Sequence, residues 1–518
     1  MRLNLSRRDV LSRAPLGLVA GAGLVGVNAL AQVLSQAATH DTINPYQFGA
    51  VGNGLADDTA ALQRAISTAI AQDIILDLAR GTYRVTGSII GNGNIRVINS
   101  GGAIIEAAKG NYTSLGVLVF AGHASLVGRL AASTRKGSTQ LGISGAGFVK
   151  GDLGVIYDPT DSSFSGFRRY YRAGEYFEVG AISGRTLSLS RPLNGSYGKA
   201  AAQVHKIHPI RGYLRDIIVR AHGGPESVIA IDYASGFEVS NPRLTCANNS
   251  GLVFRRSFRC TVVNPAIENA GSGGDDYGLS WSNSQHCRVQ GGTIYSRRHA
   301  VAVGGADEVN CVPCRDIVVE GSTLRNDAST RVHCADIHGN SEECGYTRCV
   351  IFGGFSPQGR SSFLRDSTVH SMSTGSTVYA AEILGGVHAI EGNTFYFSTD
   401  PSRVTRGAID FGGNSDAITA NTVENLTIVV RNNTFKSSSF SGNTMLLYAR
   451  NAGTPNEINI RFTDNDLQVN DYSSAIRLRR DGGQAKTRFL VVADNTTSLR
   501  GRRLVYPDSD YAVLGQMQ

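Results

Sequence analysis

Ionisable side chains that can exchange protons occur at matching places in several short apolar segments of the 518-residue chain. In the segment CADIHGN, the apolar Ala335 and Ile337 are expected to face inward. Asp336 and His338 then point outward together. In GAIDFGGN the same alternation puts Asp410 on the matching outer face. Carboxylates and imidazoles at such positions can act as general acids and bases, so we predict Asp336, His338 and Asp410 as catalytic residues.

Other polar residues extend this candidate site. Glu382 lies in AAEILGG, a segment of uncertain phase, and is a fourth predicted catalytic residue. Arg298 and His299 open RHAVAV, and Asp276 precedes YGLSWS; we predict that these three bind the substrate. Structural alternatives stay open: His338 can hydrogen-bond its own turn, Arg298 and His299 can form a solvated or subunit-contacting edge, and Asp276 can belong to a plain turn.

The segments that must position these residues belong to a repeat. Hexamers such as VRNNTF combine an apolar strand, a turn of Asn, Asp or Gly, and one more inward apolar residue. Asn and Gly suit such a turn because they tolerate left-handed backbone angles best. The intervals between hexamers run from 18 to 40 residues. The hexamers end at Leu244, Ile267, Ile294, Leu324, Ile351, Val369, Phe395, Phe435, Leu467 and Thr497.

A period in this range indicates a solenoid, a propeller or an array. The units lack the paired helices of ankyrin or tetratricopeptide repeats and the four strands of a propeller blade. Each unit has two or three short strands and tight turns, which suits stacked coils paired to the coils above and below. We therefore predict an all-β parallel β-helix, or solenoid, in which every coil fills one slice of a continuous core.

Composition limits the partners and cofactors. The net charge of +8 and a pI near 9.1 suit an acidic partner such as an anionic polysaccharide, although a mildly basic surface without a partner gives the same values. The chain lacks the interleaved aromatic and basic residues of an RNA-binding module, so we predict no nucleic-acid partner. All eight cysteines lie between Cys246 and Cys349, without His at zinc-finger spacing. We predict buried cysteines, some stacked on neighbouring turns, with disulfides left open, and no metal or cofactor.

The N-terminus has two interpretations. Arg7 and Arg8 precede a glycine-rich apolar stretch, and Ala29-Leu30-Ala31 follows as a small-residue cleavage pattern. This order is similar to a twin-arginine export signal. The alternative is a docking segment that is never cleaved.

The stretch YQFGAVGNGLADDTAALQRAISTAI, from Tyr46, carries a family resemblance. Asp57 and Asp58 sit at a helix N-cap, and Leu62 and Ile66 mark one helical face. This stretch closely resembles the opening of the pectate-lyase-like right-handed parallel β-helix superfamily, in which a helix caps the solenoid. The family usually has Gly-Asp-Gly where this chain has Asn at position 53. Residues 150–193 and 296–344 are similar to segments of bacteriophage tailspikes.

The resemblance implies a right-handed, single-stranded β-helix that forms a homotrimer in the virion tail. It also implies that the N-terminal segment attaches to a phage tail or baseplate protein. The spike would bind a bacterial surface polysaccharide, capsule or lipopolysaccharide, and depolymerise it. One alternative is a bacterial polysaccharide lyase or hydrolase exported by the twin-arginine route to the periplasm or beyond. Another is a glycan-binding spike without activity.

The sequence is compatible with two depolymerising reactions, glycoside hydrolysis and elimination by a polysaccharide lyase. Glycoside hydrolysis needs two carboxyl groups, about 5 Å apart for retention or about 6.5–9.5 Å for inversion. If one coil separates Asp336 from Asp410, two strand spacings place them about 9–10 Å apart, near the inverting range. Asp336 and Glu382 would lie nearer the retaining separation. A polysaccharide lyase instead needs a base near the acidic sugar's α-proton and a cation that stabilises the enolate.

We predict five parts of the chain. Residues 1–43 form the N-terminal signal or docking segment. Residues 44–145 form the cap and the first coils, and residues 146–210 form a small β insertion. The main parallel β-helix spans residues 211–510, and a tail of residues 511–518 follows.

Overall fold

The computed structural model describes residues 42–113, 115–163, 171–222, 226–246, 249–271, 276–306, 308–327, 333–371, 377–380, 383–396, 409–411, 425–437, 445–451, 457–469, 474–480, 487–497 and 512–514. Within these residues the chain is a right-handed, single-stranded parallel β-helix, as predicted. The twin-arginine-like pattern lies outside the described residues. No helix in the described part of the chain is long and apolar enough to cross a membrane.

Three parallel sheets form the walls of the solenoid. The first sheet contains strands Thr42–Ile43, Ile75–Asp77, Ile95–Ile98, Gly212–Arg215, Glu238–Ser240, Thr261–Val263, Arg288–Gln290, Cys314–Arg315, Val318–Glu320, Ser341–Thr347, Gly359–Arg365, Ile383–Glu391, Leu426–Arg431, Glu457–Thr463, Thr487–Ala493 and Ala512–Leu514. The second contains Asn53–Asp57, Thr82–Gly87, Ile104–Asn111, Ile218–Ala221, Arg243–Cys246, Ala266–Asn269, Thr293–Ser296, Thr323–Asn326, Val350–Phe352, Thr368–His370, Thr394–Tyr396, Thr434–Ser437, Asp466–Val469 and Thr496–Thr497. The third contains Ile89–Gly91, Leu118–Ala121, Ser227–Asp232, Ser250–Arg255, Tyr277–Ser282, His299–Gly304, Ala335–Ile337, Phe355–Pro357, Val378–Ala380, Ile409–Phe411, Met445–Asn451 and Ser474–Arg480.

The repeated hexamer is the corner between the first and second sheets. The first residue of its turn is left-handed in successive coils, for example Asn264 with a φ of 49°, Gly321 with 66° and Asn432 with 57°. The residues on either side of the turn face the core, as Val430 and Phe435 do. The hexamer therefore recurs because the corner recurs, as the sequence predicted.

The second turn residue forms a buried ladder in the C-terminal coils. The Asn433 side chain donates to Asn465 Oδ1 at 3.1 Å and to the Ile390 carbonyl at 2.8 Å. Its Oδ1 accepts from the backbone N–H and the Nδ2 group of Asn393, both at 3.0 Å. Asn465 makes the equivalent contact with Asn495 at 3.0 Å. Each asparagine therefore links its coil to both neighbours.

A continuous hydrophobic core fills the solenoid. Aromatic rings stack from coil to coil, with the centroids of Phe254 and Trp281 4.5 Å apart and those of Phe395 and Phe435 5.1 Å apart. All eight cysteines are buried free thiols. Some occupy the same slot in neighbouring coils: the Cys260 N–H donates to Cys287 Sγ at 3.4 Å. The predicted stacking of cysteines is thus confirmed.

The α-helix Thr59–Gln72 closes the N-terminal end of the core. It follows the 3-10 helix Pro45–Phe48, and its N-cap is Asp58, as predicted. The Asp58 carboxylate does not cap the helix but accepts from the N–H groups of Val51 and Gly52. Asp57 accepts from the Thr59 N–H at 3.0 Å.

An antiparallel insertion interrupts the coils. Its six strands are His123–Arg129, Gln140–Gly142, Leu153–Tyr157, Gly174–Ser183, Thr186–Leu189 and Gln203–His208. The first and last of these strands pair with each other, so the insertion begins before residue 146, the boundary expected from the sequence.

Buried charges join the insertion to the solenoid. Arg315 Nε donates to Glu342 at 2.8 Å, and Arg315 Nη1 lies 3.7 Å from Glu175 of the insertion. The Tyr171 hydroxyl of the insertion also contacts Glu342. Burial opposes ionisation of Glu342, but Arg315 and Arg360 outweigh it and hold its pKa below the usual range. Breaking such a buried pair from one side costs about 3–5 kcal/mol, so the insertion is firmly held to the coils.

Candidate functional site: a groove on the third sheet

The outer face of the third sheet carries the predicted site. Strand pairing places Ser280, Ala302, Asp336 and Ser356 in one outward row, each on the next coil. Their neighbours along each strand face the core, including Ala335 and Ile337. The predicted outward orientation of Asp336 is therefore correct with respect to the core.

A groove of about 390 Å³ lies on this face. Its lining includes Tyr277, Ser280 and His338 and the residues from Gly304 to Ala306. Charged side chains line it as well, and they are paired: Arg255 contacts Glu226 at 3.1 Å, and Arg256 contacts Glu308 at 3.6 Å and also binds Asp232. Such a lining of hydroxyl, aromatic and paired charged groups can hydrogen-bond a polar chain and stack on it.

Three of the predicted residues converge beside the groove, which one of them lines. Asp336 Oδ2 is in contact with His338 Nε2 and lies 3.7 Å from His299 Nε2. The side chains of His299 and Asp336 are 5% and 4% exposed, whereas His338, at 14%, reaches the groove. His338 thus lies between a buried carboxylate and the groove.

His299 is fixed by its surroundings. Its Nδ1 lies 2.5 Å from the His333 carbonyl, and its ring stacks on Tyr277 with centroids 5.5 Å apart. Burial lowers the pKa of His299 to about 4, although the nearby Asp336 carboxylate opposes this shift. The imidazole is therefore neutral at pH 7. Because a carbonyl only accepts, Nδ1 carries its single proton.

Two core contacts hold Asp336 and His338 in place. The Tyr346 hydroxyl, inside the solenoid, lies 3.3 Å from the Asp336 carbonyl and 3.1 Å from the Val301 carbonyl. The His338 N–H donates to the Val303 carbonyl at 2.7 Å, which continues the strand ladder past Ile337. An added Cβ on Gly304 would lie 2.7 Å from the His338 Cβ, so the absence of a side chain at Gly304 makes room for the histidine.

The other predicted binding residues lie on the neighbouring coils. The Arg298 guanidinium sits 5.7 Å from the ring centroid of Tyr277. Asp276 is buried, and its carbonyl accepts from the His299 N–H at 3.2 Å and from the Ser296 hydroxyl at 2.8 Å. Asp276 therefore supports the strand that carries His299, and substrate binding by Asp276 and Arg298 stays a prediction.

The spacing expected for the two carboxylates is wrong. Two strands, Phe355–Pro357 and Val378–Ala380, lie between the strands of Asp336 and Asp410. The two residues are therefore three strand spacings apart, about 14 Å, beyond the inverting range. Glu382 lies outside the described residues. The segment AAEILGG is also divided, since Ala380 ends a strand of the third sheet and Ile383 begins one of the first.

The sequence interpretation missed several groove residues. Arg255 and Glu226 belong to coils before the predicted site, and Tyr277 lies in a recognised segment but was not selected. The period-2 alternation could have identified Ser280 as outward, because Leu279 and Trp281 on either side face the core. The same alternation assigns Tyr277 to the inward set, so it could not have identified Tyr277. Nothing in the sequence shows that Gly305 and Ala306 line the groove.

Family comparisons agree with this architecture. Residues 247–495 match the family described as Gp49, pectin lyase-like. Residues 119–207 match the tailspike protein-like Ig-like domain, and residues 42–130 match the rhamnogalacturonase A/epimerase, pectate lyase-like family. No curated protein is a significant match.

Several solved structures share the fold over nearly the whole chain. The tailspike protein gp49 of Pseudomonas phage LKA1 is 31% identical, with a TM-score of 0.86 over 92% of this chain and 85% of that one. Tailspike gp61 of Pseudomonas phage phi297 is 23% identical, with a TM-score of 0.79 over 92% and 84%. Tailspike Gp54 of Acinetobacter baumannii bacteriophage AP22, solved with a capsular saccharide, is 23% identical, with a TM-score of 0.77 over 95% and 80%.

Proposed function

Because the chain belongs to the phage tailspike family of pectate-lyase-like β-helix proteins, we propose that it binds a bacterial surface polysaccharide and cleaves it in the third-sheet groove. The observation that carries this proposal is the cluster of Asp336, His338 and His299 beside a polar groove that His338 lines. A capsule or a lipopolysaccharide chain is the substrate class. The AP22 tailspike, solved with a capsular saccharide, supports this choice.

The groove suits a saccharide chain in its dimensions and its chemistry. Its rows of outward residues repeat every coil, about 4.8 Å, so several sugar units can lie across successive strands. Tyr277 offers an aromatic surface, while Ser280 and Ser282 offer hydroxyl groups. The Arg255–Glu226 pair adds polar donors and acceptors to the groove lining.

We favour elimination over hydrolysis by two carboxylates. Asp336 and Asp410 are too far apart to flank one glycosidic bond with a water between them. Elimination needs only one proton acceptor and one positive group near the sugar carboxylate, and both fit around a single cluster. Asp336 and His338 belong to that centre.

Incubation with host capsule or lipopolysaccharide, followed by mass spectrometry of the fragments, tests the proposal. We expect fragments with an unsaturated terminal sugar; fragments with an added water would show hydrolysis instead. Intact polysaccharide that stays bound would reveal a binding spike without activity and refute cleavage.

Asp336→Asn is the matching variant. Because it neutralises the carboxylate between the two imidazoles, we expect cleavage to fall at least about 100-fold while the oligomer stays intact. Asp316→Asn is the control, since Asp316 also contacts a histidine, His286 at 2.8 Å, but does not line the groove. Full activity of Asp336→Asn would refute the site assignment.

We also propose that the chain works as a homotrimer in the virion tail, attached through residues 1–43. The family relation supports this proposal. Light scattering of the purified full chain should give three times the mass of 55.0 kDa. A monomeric mass would contradict the trimer.

A further inference from the structure

The cluster beside the groove has an arrangement that acid–base chemistry does not require. His299 Nε2, Asp336 Oδ2 and His338 Nε2 all lie within 4.8 Å of one another. Each can supply one lone pair, and all three side chains are mostly buried. Three ligand atoms so close to one another can surround a single ion.

The surroundings of His299 fix its orientation. Its Nδ1 lies 2.5 Å from the His333 carbonyl, which can only accept a hydrogen bond. Its Nε2 faces Asp336 Oδ2, 3.7 Å away, so an ion bound here can contact both atoms.

His338 shows the same feature from the other side. Its Nε2 contacts Asp336 Oδ2 without the geometry of a hydrogen bond within the described part of the chain. Both atoms carry lone pairs that an ion bound beside them can accept.

We propose that His299, Asp336 and His338 bind one divalent transition-metal ion of the Zn²⁺ class. Two imidazoles and one carboxylate form a donor set that Zn²⁺ and its first-row neighbours accept, whereas Mg²⁺ and Ca²⁺ prefer all-oxygen sites. The carbonyl that fixes His299 Nδ1 is the usual outer partner of a metal-binding histidine.

The position of the site gives the ion access to the groove. Three protein ligands leave at least one coordination position open, as in catalytic rather than structural zinc sites. His338 lines the groove, so the open position is expected to face it. With one aspartate as a ligand, the ion keeps a net charge of +1, which suits a carboxylate or hydroxyl oxygen. If the proposed cleavage holds, the ion would be the positive group that elimination requires.

Metal binding can be measured without any polysaccharide. The full chain, stripped with EDTA and dialysed, is titrated with Zn²⁺ by calorimetry and with Co²⁺ by visible absorption. We expect one equivalent of Zn²⁺ per chain and the d–d bands of Co²⁺ in a nitrogen and oxygen environment. Binding of much less than one equivalent would overturn the proposal.

Variants identify the ligands. His338→Gln is the first choice because His338 is the most exposed of the three ligands. Loss of a residue that only supports a metal ligand weakens metal binding about 10–100-fold, so loss of a ligand itself should weaken Zn²⁺ binding at least about 100-fold. Asp336→Asn should act alike. His286→Gln is the matched control, since His286 pairs with an aspartate outside the cluster, and it should bind like the parent. Unchanged binding in His338→Gln and Asp336→Asn, or equal loss in His286→Gln, would refute the site.

The two proposals fail separately. Stoichiometric zinc binding without cleavage of any surface polysaccharide would leave the metal site standing and refute the proposed function. Cleavage at the full rate by a chain that binds no metal would support the proposed function and refute the metal site.

Discussion

The asparagine ladder allows a quantitative prediction. Replacing Asn433 by Ala removes four side-chain hydrogen bonds at a position that is 1% exposed. Some partners keep another bond: Asn393 Nδ2 still donates to the Leu364 carbonyl, and Asn465 Oδ1 still accepts from the residue-433 N–H. The Asn393 N–H and the Ile390 carbonyl lose their ladder partner.

The magnitude follows from the buried backbone group that keeps no other partner. The Ile390 carbonyl also faces the paired strand Leu426–Arg431 and keeps a backbone donor there, so the Asn393 N–H is the group left without a partner. Such a buried group costs about 1–3 kcal/mol, so the variant should lose about 1–3 kcal/mol of local stability. The loss should concentrate in neighbouring coils, because a solenoid is stabilised mainly by contacts between adjacent repeats.

Hydrogen exchange measured by mass spectrometry suits this test. The single tryptophan, Trp281, lies on a different coil, so its fluorescence would miss a change confined to the C-terminal coils. Peptides covering residues 387–395 and 426–437 should exchange faster in Asn433→Ala. Asn432→Gly is the control, since Asn432 is exposed and left-handed, and it should change stability by less than about 0.5 kcal/mol. Equal exchange in both variants would refute the role of the ladder.

Two further predictions concern other buried sites. The buried His388 is paired in register with Ile428 of the next coil. Burial lowers the pKa of His388 from 6.5 to about 4. Between pH 6.5 and pH 4 the His388 imidazole therefore takes up a proton in the unfolded chain but not in the folded one. About 3 kcal/mol of folding stability should be present above pH 6.5 and should be lost as the pH falls to 4. His388→Leu should flatten this part of the pH profile in guanidinium unfolding; an unchanged slope would contradict the assignment. Gly304→Ala should push His338 away and slow cleavage by about 100-fold, since misplacement of about 1 Å can cost that much. Gly198→Ala, where an added Cβ meets nothing within 4 Å, should leave the rate of polysaccharide cleavage unchanged, and equal rates in the two glycine variants would contradict this account of Gly304.

Much of the fold could be predicted because the corner imposes local rules. A left-handed turn selects Asn, Asp or Gly, and the inward positions beside it must be apolar. Even the weak hexamer YTRCVI obeys the geometry: Arg348 adopts a φ of 52°, with Tyr346 and Ile351 facing the core. A residue type that tolerates the corner poorly thus obscured the pattern in the sequence without changing the structure.

The site was only partly predictable. Alternation within one strand indicated that Asp336 faces outward, and proximity in the repeat placed His299 on the adjoining coil. The number of coils before Asp410 could not be counted, because loops of different lengths separate the strands. The burial of Asp336 could not be predicted from its own strand, since it also depends on side chains of other segments, such as His299 of the adjoining coil.

The ladder of linked corners also determines which changes of length the molecule can absorb. Removing one complete coil would bring two equivalent corners together, and their asparagines could bond as before. Removing one residue from a strand would instead turn its outward side chains inward. Spikes of this architecture can therefore become longer or shorter in steps of one coil, while the groove keeps its rows of side chains aligned.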